Sequence, residues 1–531
     1  MPIRYKSHAF VLFIALLCTF LILSGFHWLP AAPPPVQVQL LGINDFHGQL
    51  DQTRQWNKQA VGTAPVLATY LKERAATNPN TLLVQAGDMV GASAPESALL
   101  QDEPTIEILN HLGFDIGTVG NHEFDEGIPE MKRLIYGGYH EKTGYFAGAD
   151  FPYVVANVID KKTGRPILPA HFIKRVKGIP IGFIGVVTTE TPQIVMPTHV
   201  ENVKFTDPAT AVNQEVRKLK RKGVETIVVL AHEGGTQDQN SGTINGPIAE
   251  IVPRLNDEVD VVFSGHTHTF IHGMIDGKLV VQALNYGMAF ADVDLTIDRR
   301  TKDVVAKQAE VLPTYQANVE PDPEVKRIVE EAKAKVAPLI NREIAKTNAA
   351  ITRTDSEAGE SALGNLIADA QRATMQTEFA FMNPGGIRAD LPAGTITWGH
   401  LYTVQPFGND LVKMTLTGAQ IRTLLNQQFQ DPSRIRILQI SGLRYTYDPN
   451  RPADDRVVSI VKADGTPLDP AATYSVTVNS FLASGGDGFT VLKEGTDRTV
   501  GPTDLDALVE YVKQLPQPFG ATIEGRITLE K

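Results

Sequence analysis

Five times between residues 38 and 268, this chain runs an apolar, β-branched stretch straight into Gly, Asn, Asp or His. The runs are VQLLGINDFHG (38–48), TLLVQAGD (81–88), IGTVGNHEFD (116–125), TIVVLAHEGG (226–235) and VDVVFSGHTH (259–268). Runs this short and this apolar read as strands buried on both faces. Helical stretches at 64–75, 103–112 and 207–222 fall between them. Alternation of buried strands with helices predicts an α/β sandwich. In such sheets the ligand crevice lies outside the carboxyl ends of the strands, where all five polar tips collect. Beyond the last tip, Asp276-Gly277 predicts a hairpin turn, followed by a strand over 291–297.

The pattern changes near Leu312. Residues 321–340 form a polar, Lys- and Glu-rich helix opened by Pro323 and Glu324, read as a bridge that buries little by itself. A second, smaller α/β unit begins near Ile344. It is predicted to hold helices over 361–375 and 504–515, a strand leading into a helix over 411–429, and strands over 378–382, 438–447 and 474–479. The division is therefore residues 36–312, a linker over 313–343, and 344–531.

Composition narrows the chemistry. The chain has 531 residues and a formal charge of −11, which argues against a general nucleic-acid binder. Its single cysteine, Cys18, excludes an intrachain disulfide framework and a cysteine-based zinc cage. Arg4 and Lys6 precede an apolar run over 9–23, so residues 1–32 read as a signal peptide or an uncleaved membrane anchor. The expected location is periplasmic or cell-surface, with residues 31–35 as a Pro-rich tether.

The tips offer oxygen and nitrogen ligands and no sulfur. Asp45 and His47 alternate at a strand end, Asp88 follows Gly87, Asn121-His122 and Asp125 share one turn, and His232, His266 and His268 follow. Taken singly, Gly-Asp is a common turn and a lone histidine is a core residue. Their recurrence at five successive strand ends points to a metal site for Mn, Zn, Co or Fe. No Walker-type loop and no Ser or Cys nucleophile motif competes.

NDFHG, AGD, GNHEFD, AHEGG and GHTH, in this order, resemble the calcineurin-like metallophosphoesterases, and more closely the 5'-nucleotidase and UDP-sugar hydrolase family. GNLIADA, GGIR, QPFGN and FLASGGDGF resemble that family's nucleotide-binding domain. The resemblance implies a four-layer αββα catalytic domain joined by the linker helix to a C-terminal nucleotide-binding α/β domain. It implies two divalent metal ions, one held by Asp45, His47 and His268, the other by Asn121, His232 and His266, with Asp88 bridging. His122 paired with Asp125 is the implied catalytic dyad. Phe407 and Phe481 would sandwich a base, Asp487 would bind ribose hydroxyls, Arg388 and Arg353 the phosphate, and Asn383 the base. The implied activity is hydrolysis of nucleoside 5'-monophosphates, with UDP-sugars or 2',3'-cyclic nucleotides as alternatives. A catalytically inert surface nucleotide binder is the reading from another class.

Overall fold

The computed structural model describes residues 34–432 and 434–530. The expected signal or anchor falls outside them. Among the described residues no helix is long and apolar enough to cross a membrane.

Two six-stranded sheets form the N-terminal half. In the first, Val36–Ile43, Thr81–Gln85, Ile116–Thr118 and Tyr153–Val154 run parallel, and Ala289–Ile297 and Val304–Pro313 extend the other edge antiparallel. The second is built on parallel Ile179–Val187, Thr226–His232, Val259–Ser264 and Lys278–Ala283. Antiparallel edge strands His171–Val176 and Phe270–Ile275 flank it. The predicted hairpin turn has Asp276 and Gly277 both at positive φ (47° and 74°), the geometry that matches strand twist. The strand Val304–Pro313 was not legible, because its exposed polar positions break the apolar run.

The sheets face each other through Val38, Leu40, Val84 and Ile116 on one side and Phe183, Leu230, Val261 and Phe263 on the other. Helices Ala64–Ala75, Glu103–Leu112 and Gly127–Tyr136 cover the outer face of the first sheet. Pro208–Arg221 and Pro247–Ile251 cover that of the second. The result is the expected helix–sheet–sheet–helix sandwich. Pro208–Arg221 starts where it does because the Asp207 carboxylate accepts from Thr210 N–H at 2.9 Å.

The helix Pro323–Ile340 corrects the sequence reading. It buries Val325, Ile328, Val329 and Ala332 in the first sheet's helical core. Four residues at i, i+3, i+4 and i+7 make a narrow apolar stripe that a count of charged residues hides. The linker is thus a fixed part of the N-terminal half's outer layer.

The C-terminal unit has a five-stranded sheet ordered Gln439–Ser441, Phe379–Met382, Thr473–Asn479, Asp410–Thr417, Thr496–Thr503. Ala362–Met375 packs with Asp504–Gln514 in one of its cores. Asp504 opens the second of these helices and is fully buried, its Oδ1 accepting from Leu505 N–H at 2.9 Å. Burial pushes its carboxyl up to about 7. Between pH 4 and 7 the unfolded chain would ionise this group while the folded chain keeps it protonated, so stability falls as pH rises through that window. Asp504→Asn should remove the fall. Its melting temperature should match the parent's near pH 4 and exceed it by a few degrees at pH 8, corresponding to on the order of 1–3 kcal/mol. Parallel pH–stability curves would refute this.

Candidate metal centre and nucleotide cleft

Side chains at the carboxyl ends of both sheets converge on one point, and the backbone is distorted to bring them there. Asp45, His47, Asp88, His266 and His268 all have φ between 51° and 75°, in the left-handed region. Each such residue costs about 1–2 kcal/mol, so five together mark a place where geometry is held against local preference.

The resulting distances are short. His47 Nε2 lies 3.2 Å from His268 Nε2 and 3.7 Å from Asp88 Oδ2. His268 Nε2 lies 3.4 Å from Asp45 Oδ1. On the other side of Asp88, His232 Nε2 is 3.0 Å from Asp88 Oδ2 and 3.2 Å from Asn121 Oδ1. Potential ligand atoms group as Asp45–His47–His268 and Asp88–His232–His266, each within 4.8 Å. The structure thus brings all seven side chains singled out as ligands to one place, with Asp88 between the two groups.

The second layer fits a metal. His47 Nδ1 donates to Gly91 O at 2.8 Å and His232 Nδ1 to Ala86 O at 2.9 Å, which leaves each Nε2 turned into the site. Burial drives His47 well below its usual pKa, and burial together with His232 takes His266 to about 4, so both imidazoles are neutral, the form a metal requires. His232 differs. Burial lowers it, but the Asp88 carboxylate prevails and holds it at about 10. If His232 were to hold a divalent cation, that proton would have to leave, because an imidazole ligand is neutral.

His122 stands at the edge of this cluster. Its backbone N–H donates to Asp88 Oδ1 at 2.8 Å, and its Nδ1 lies 2.7 Å from Asp125 Oδ2. Burial lowers its pKa, yet Asp125 and Asp88 raise it above the ordinary value. It also groups with His47 and Asp88 within ligand range. His199 and Glu123 support this corner, and the sequence reading gave neither a role. His199 Nδ1 donates to Asp125 O at 2.6 Å. The buried Glu123 carboxylate accepts from Asp88, Met89 and Gly120 N–H, tying the two ligand loops together.

A cleft of about 410 Å³ opens over Asp88, His122 and His266, and the C-terminal unit supplies its far wall with Asn383, Arg388, Phe407, Phe481 and Asp487. The Phe407 ring stacks on His122 at 6.0 Å with an interplanar angle of 17°, and the Arg388 guanidinium lies 5.8 Å from the same ring. Phe481 is mostly packed in the C-terminal core and also lines the cleft. Asp487, at φ 56°, accepts from Asn383 Nδ2 at 3.1 Å and pairs with Arg436 Nε at 3.3 Å. Arg353 is not among the residues lining the cleft, and its Nη1 donates to Ile387 O at 3.0 Å, beside Arg388. Arg434, unremarked in the sequence, lines the cleft and pairs with Glu190 of the catalytic half.

Residues 38–270 match the family model described as calcineurin-like phosphoesterase, and residues 341–494 match the 5'-nucleotidase C-terminal domain. A cell wall protein of Listeria monocytogenes, Lmo0130, is 38% identical across 91% of this chain and 68% of its own length. The chain belongs to the 5'-nucleotidase family of calcineurin-like phosphoesterases. It is similar throughout to the 5'-nucleotidase precursor of Thermus thermophilus, at 31% identity and a TM-score of 0.79 over 93% of this chain and 99% of the other. Endonuclease YhcR of Bacillus subtilis is 44% identical over 93% of this chain, which spans only 41% of that longer protein. The donor set fits the metal-dependent phosphoesterases of this family.

Proposed function

We propose that this protein is an exported 5'-nucleotidase that releases phosphate from nucleoside 5'-monophosphates. The observation that carries the reading is the shared cleft, in which two metal-ligand groups, the His122–Asp125 pair and a wall of Arg388, Phe407, Phe481 and Asp487 face one volume. When bound, a pair of divalent ions supplies Lewis acidity to a water and to phosphoryl oxygens. The chain's residues supply the rest. Arg388 draws the phosphate toward the site, and the two phenyl rings receive the base. Asp487 and Asn383 bind the ribose hydroxyls and the base edge. His122, oriented by Asp125, hydrogen-bonds the phosphoryl or leaving oxygen as negative charge develops there.

Asp45, His47, Asp88, Asn121, His232, His266 and His268 are the proposed ligands, for Mn, Zn, Co or Fe. The Listeria relative is named a cell wall protein, which supports an exported location. The test is phosphate release from AMP, UMP, ATP, UDP-glucose and 2',3'-cyclic AMP by metal-stripped protein reloaded with each cation. Metal-dependent turnover of AMP is expected, and Phe407→Ala should raise KM at least tenfold while lowering kcat little. Turnover confined to UDP-glucose or the cyclic substrate would overturn the monophosphate assignment, and two bound metals without any turnover would favour an inert binder.

A further inference from the structure

The cleft does not end at the metals. Gln101, Glu126 and Glu130 line it and also line a second groove, which continues past Lys132 and Arg133 to Tyr136, Tyr139 and His140. The outer wall is the strand Gly138–His140, whose hairpin partner Gly144–Phe146 sets Tyr145 directly opposite Tyr139. Direct cross-strand partners share one face of a hairpin. Tyr139 and Tyr145 on that face are 73% and 77% exposed, and Tyr136, which ends the preceding helix and lines the groove, is 60% exposed. Three large aromatics this open within ten residues have no packing role.

The charges along the groove narrow what such a surface receives. Arg133 is buried and pairs at 2.7 Å with both Glu103 and Glu130, so those carboxylates are already neutralised. Burial raises the Glu126 carboxyl toward its neutral form. Lys132 in the groove, whose charge also acts on Asp160, and Lys142, which reaches the catalytic cleft from the hairpin turn, form no salt bridge within 4.0 Å among the described residues. Open aromatic faces combined with unpaired lysines are the chemistry that binds single-stranded nucleic acid, with bases on the rings and phosphates on the ammonium groups.

We propose that this groove is a subsite for nucleotides beyond the scissile phosphate, so that the metal centre also cleaves short single-stranded oligonucleotides. The proposal rests on the nucleotidase reading of the same centre and extends it from monoesters to diesters. It departs from the expectation that nucleic acid is excluded, because −11 describes the whole chain and the groove is a local exception. The reaction balances with water alone. Water oxygen bonds to phosphorus, the bond from phosphorus to the bridging ribose oxygen breaks, and a proton from water ends on that oxygen. A phosphomonoester and a hydroxyl result.

The test joins binding to turnover. Fluorescein-labelled penta-deoxythymidylate with phosphorothioate linkages is titrated by anisotropy into chelator-treated full-length protein, and hydrolysis of penta-deoxyadenylate and AMP is followed with Mn²⁺-loaded protein. Tyr139→Ala/Tyr145→Ala should weaken oligonucleotide binding and raise the oligonucleotide KM roughly tenfold or more. AMP kinetics should stay unchanged, and Tyr139→Phe/Tyr145→Phe should restore binding. Unaltered binding by the alanine pair, or no oligonucleotide binding by the parent, overturns the proposal. So does equal binding of a neutral hexasaccharide, which would mark the rings as a sugar platform. Loss of AMP turnover with the binding differences intact would instead overturn the nucleotidase reading and leave the subsite standing.

Discussion

His122→Ala should lower kcat on AMP by ~10²–10⁴-fold and leave both metals bound. The expectation follows from how the imidazole is held. Its Nδ1 is committed to Asp125 at 2.7 Å, so one nitrogen remains for the substrate. Asp125 and Asp88 together raise its pKa despite burial, and a protonated ring can donate to an oxygen that gains charge. Because the donation strengthens in the transition state, the loss should fall on kcat more than on KM. The competing role is explicit in the geometry, since His47, Asp88 and His122 also form a group tight enough to hold an ion. Metal content separates the two. A variant that retains both ions per chain yet turns over slowly places His122 on the substrate, whereas loss of an ion in parallel with activity makes it a ligand. Asp125→Asn should give a smaller kcat defect, because the imidazole keeps a hydrogen-bond partner but loses the adjacent negative charge.

Much of this architecture was legible because it rests on signals local in sequence. Buried parallel strands such as Ile179–Val187 and Thr226–His232 have no polar face, so their composition announces them. The proposed ligands stood out because each sits where an apolar run stops, a place with few structural reasons for histidine. The support for those ligands was not. Glu123 adjoins His122 and reads as an ordinary turn acid, and its function appears only when the Asp88 and Gly120 backbones converge on its carboxylate. His199 reaches Asp125 from 74 residues away, a contact that no periodicity encodes. The linker helix was misread because four apolar residues sufficed once the first sheet's helices offered a matching surface. The Arg353 guanidinium holds the Ile387 carbonyl 34 residues away, another contact that no local pattern encodes. Local pattern specifies which side chains are presented, and long-range backbone convergence determines what steadies them.

That division makes Gly120→Ala the more drastic substitution, although Gly120 carries no chemistry. A methyl group there would sit 2.7 Å from the Asp88 amide nitrogen and 2.7 Å from His232 Cε1, and closer still to Asp88 Oδ1. None of these atoms has room to retreat. Asp88 is in the left-handed region and its N–H is held by Glu123 at 3.0 Å, while the His232 ring is fully buried and tied to Ala86 O. The extra carbon must therefore push apart the two residues that bring the ligand groups together. Overpacking a close-packed interior costs about 1–3 kcal/mol, so the variant should still fold, with a melting temperature lower by several degrees. Metal affinity depends on ligand placement to a few tenths of an ångström, and activity depends on metal. The expected result is a folded protein that has lost at least one ion per chain and more than ~10³-fold in phosphate release, with little recovery at high Mn²⁺. Nearly full activity with both ions retained would show that the Asp88 and Gly120 loops can separate freely, and that the Glu123 bridge between them does not set the geometry of the metal centre.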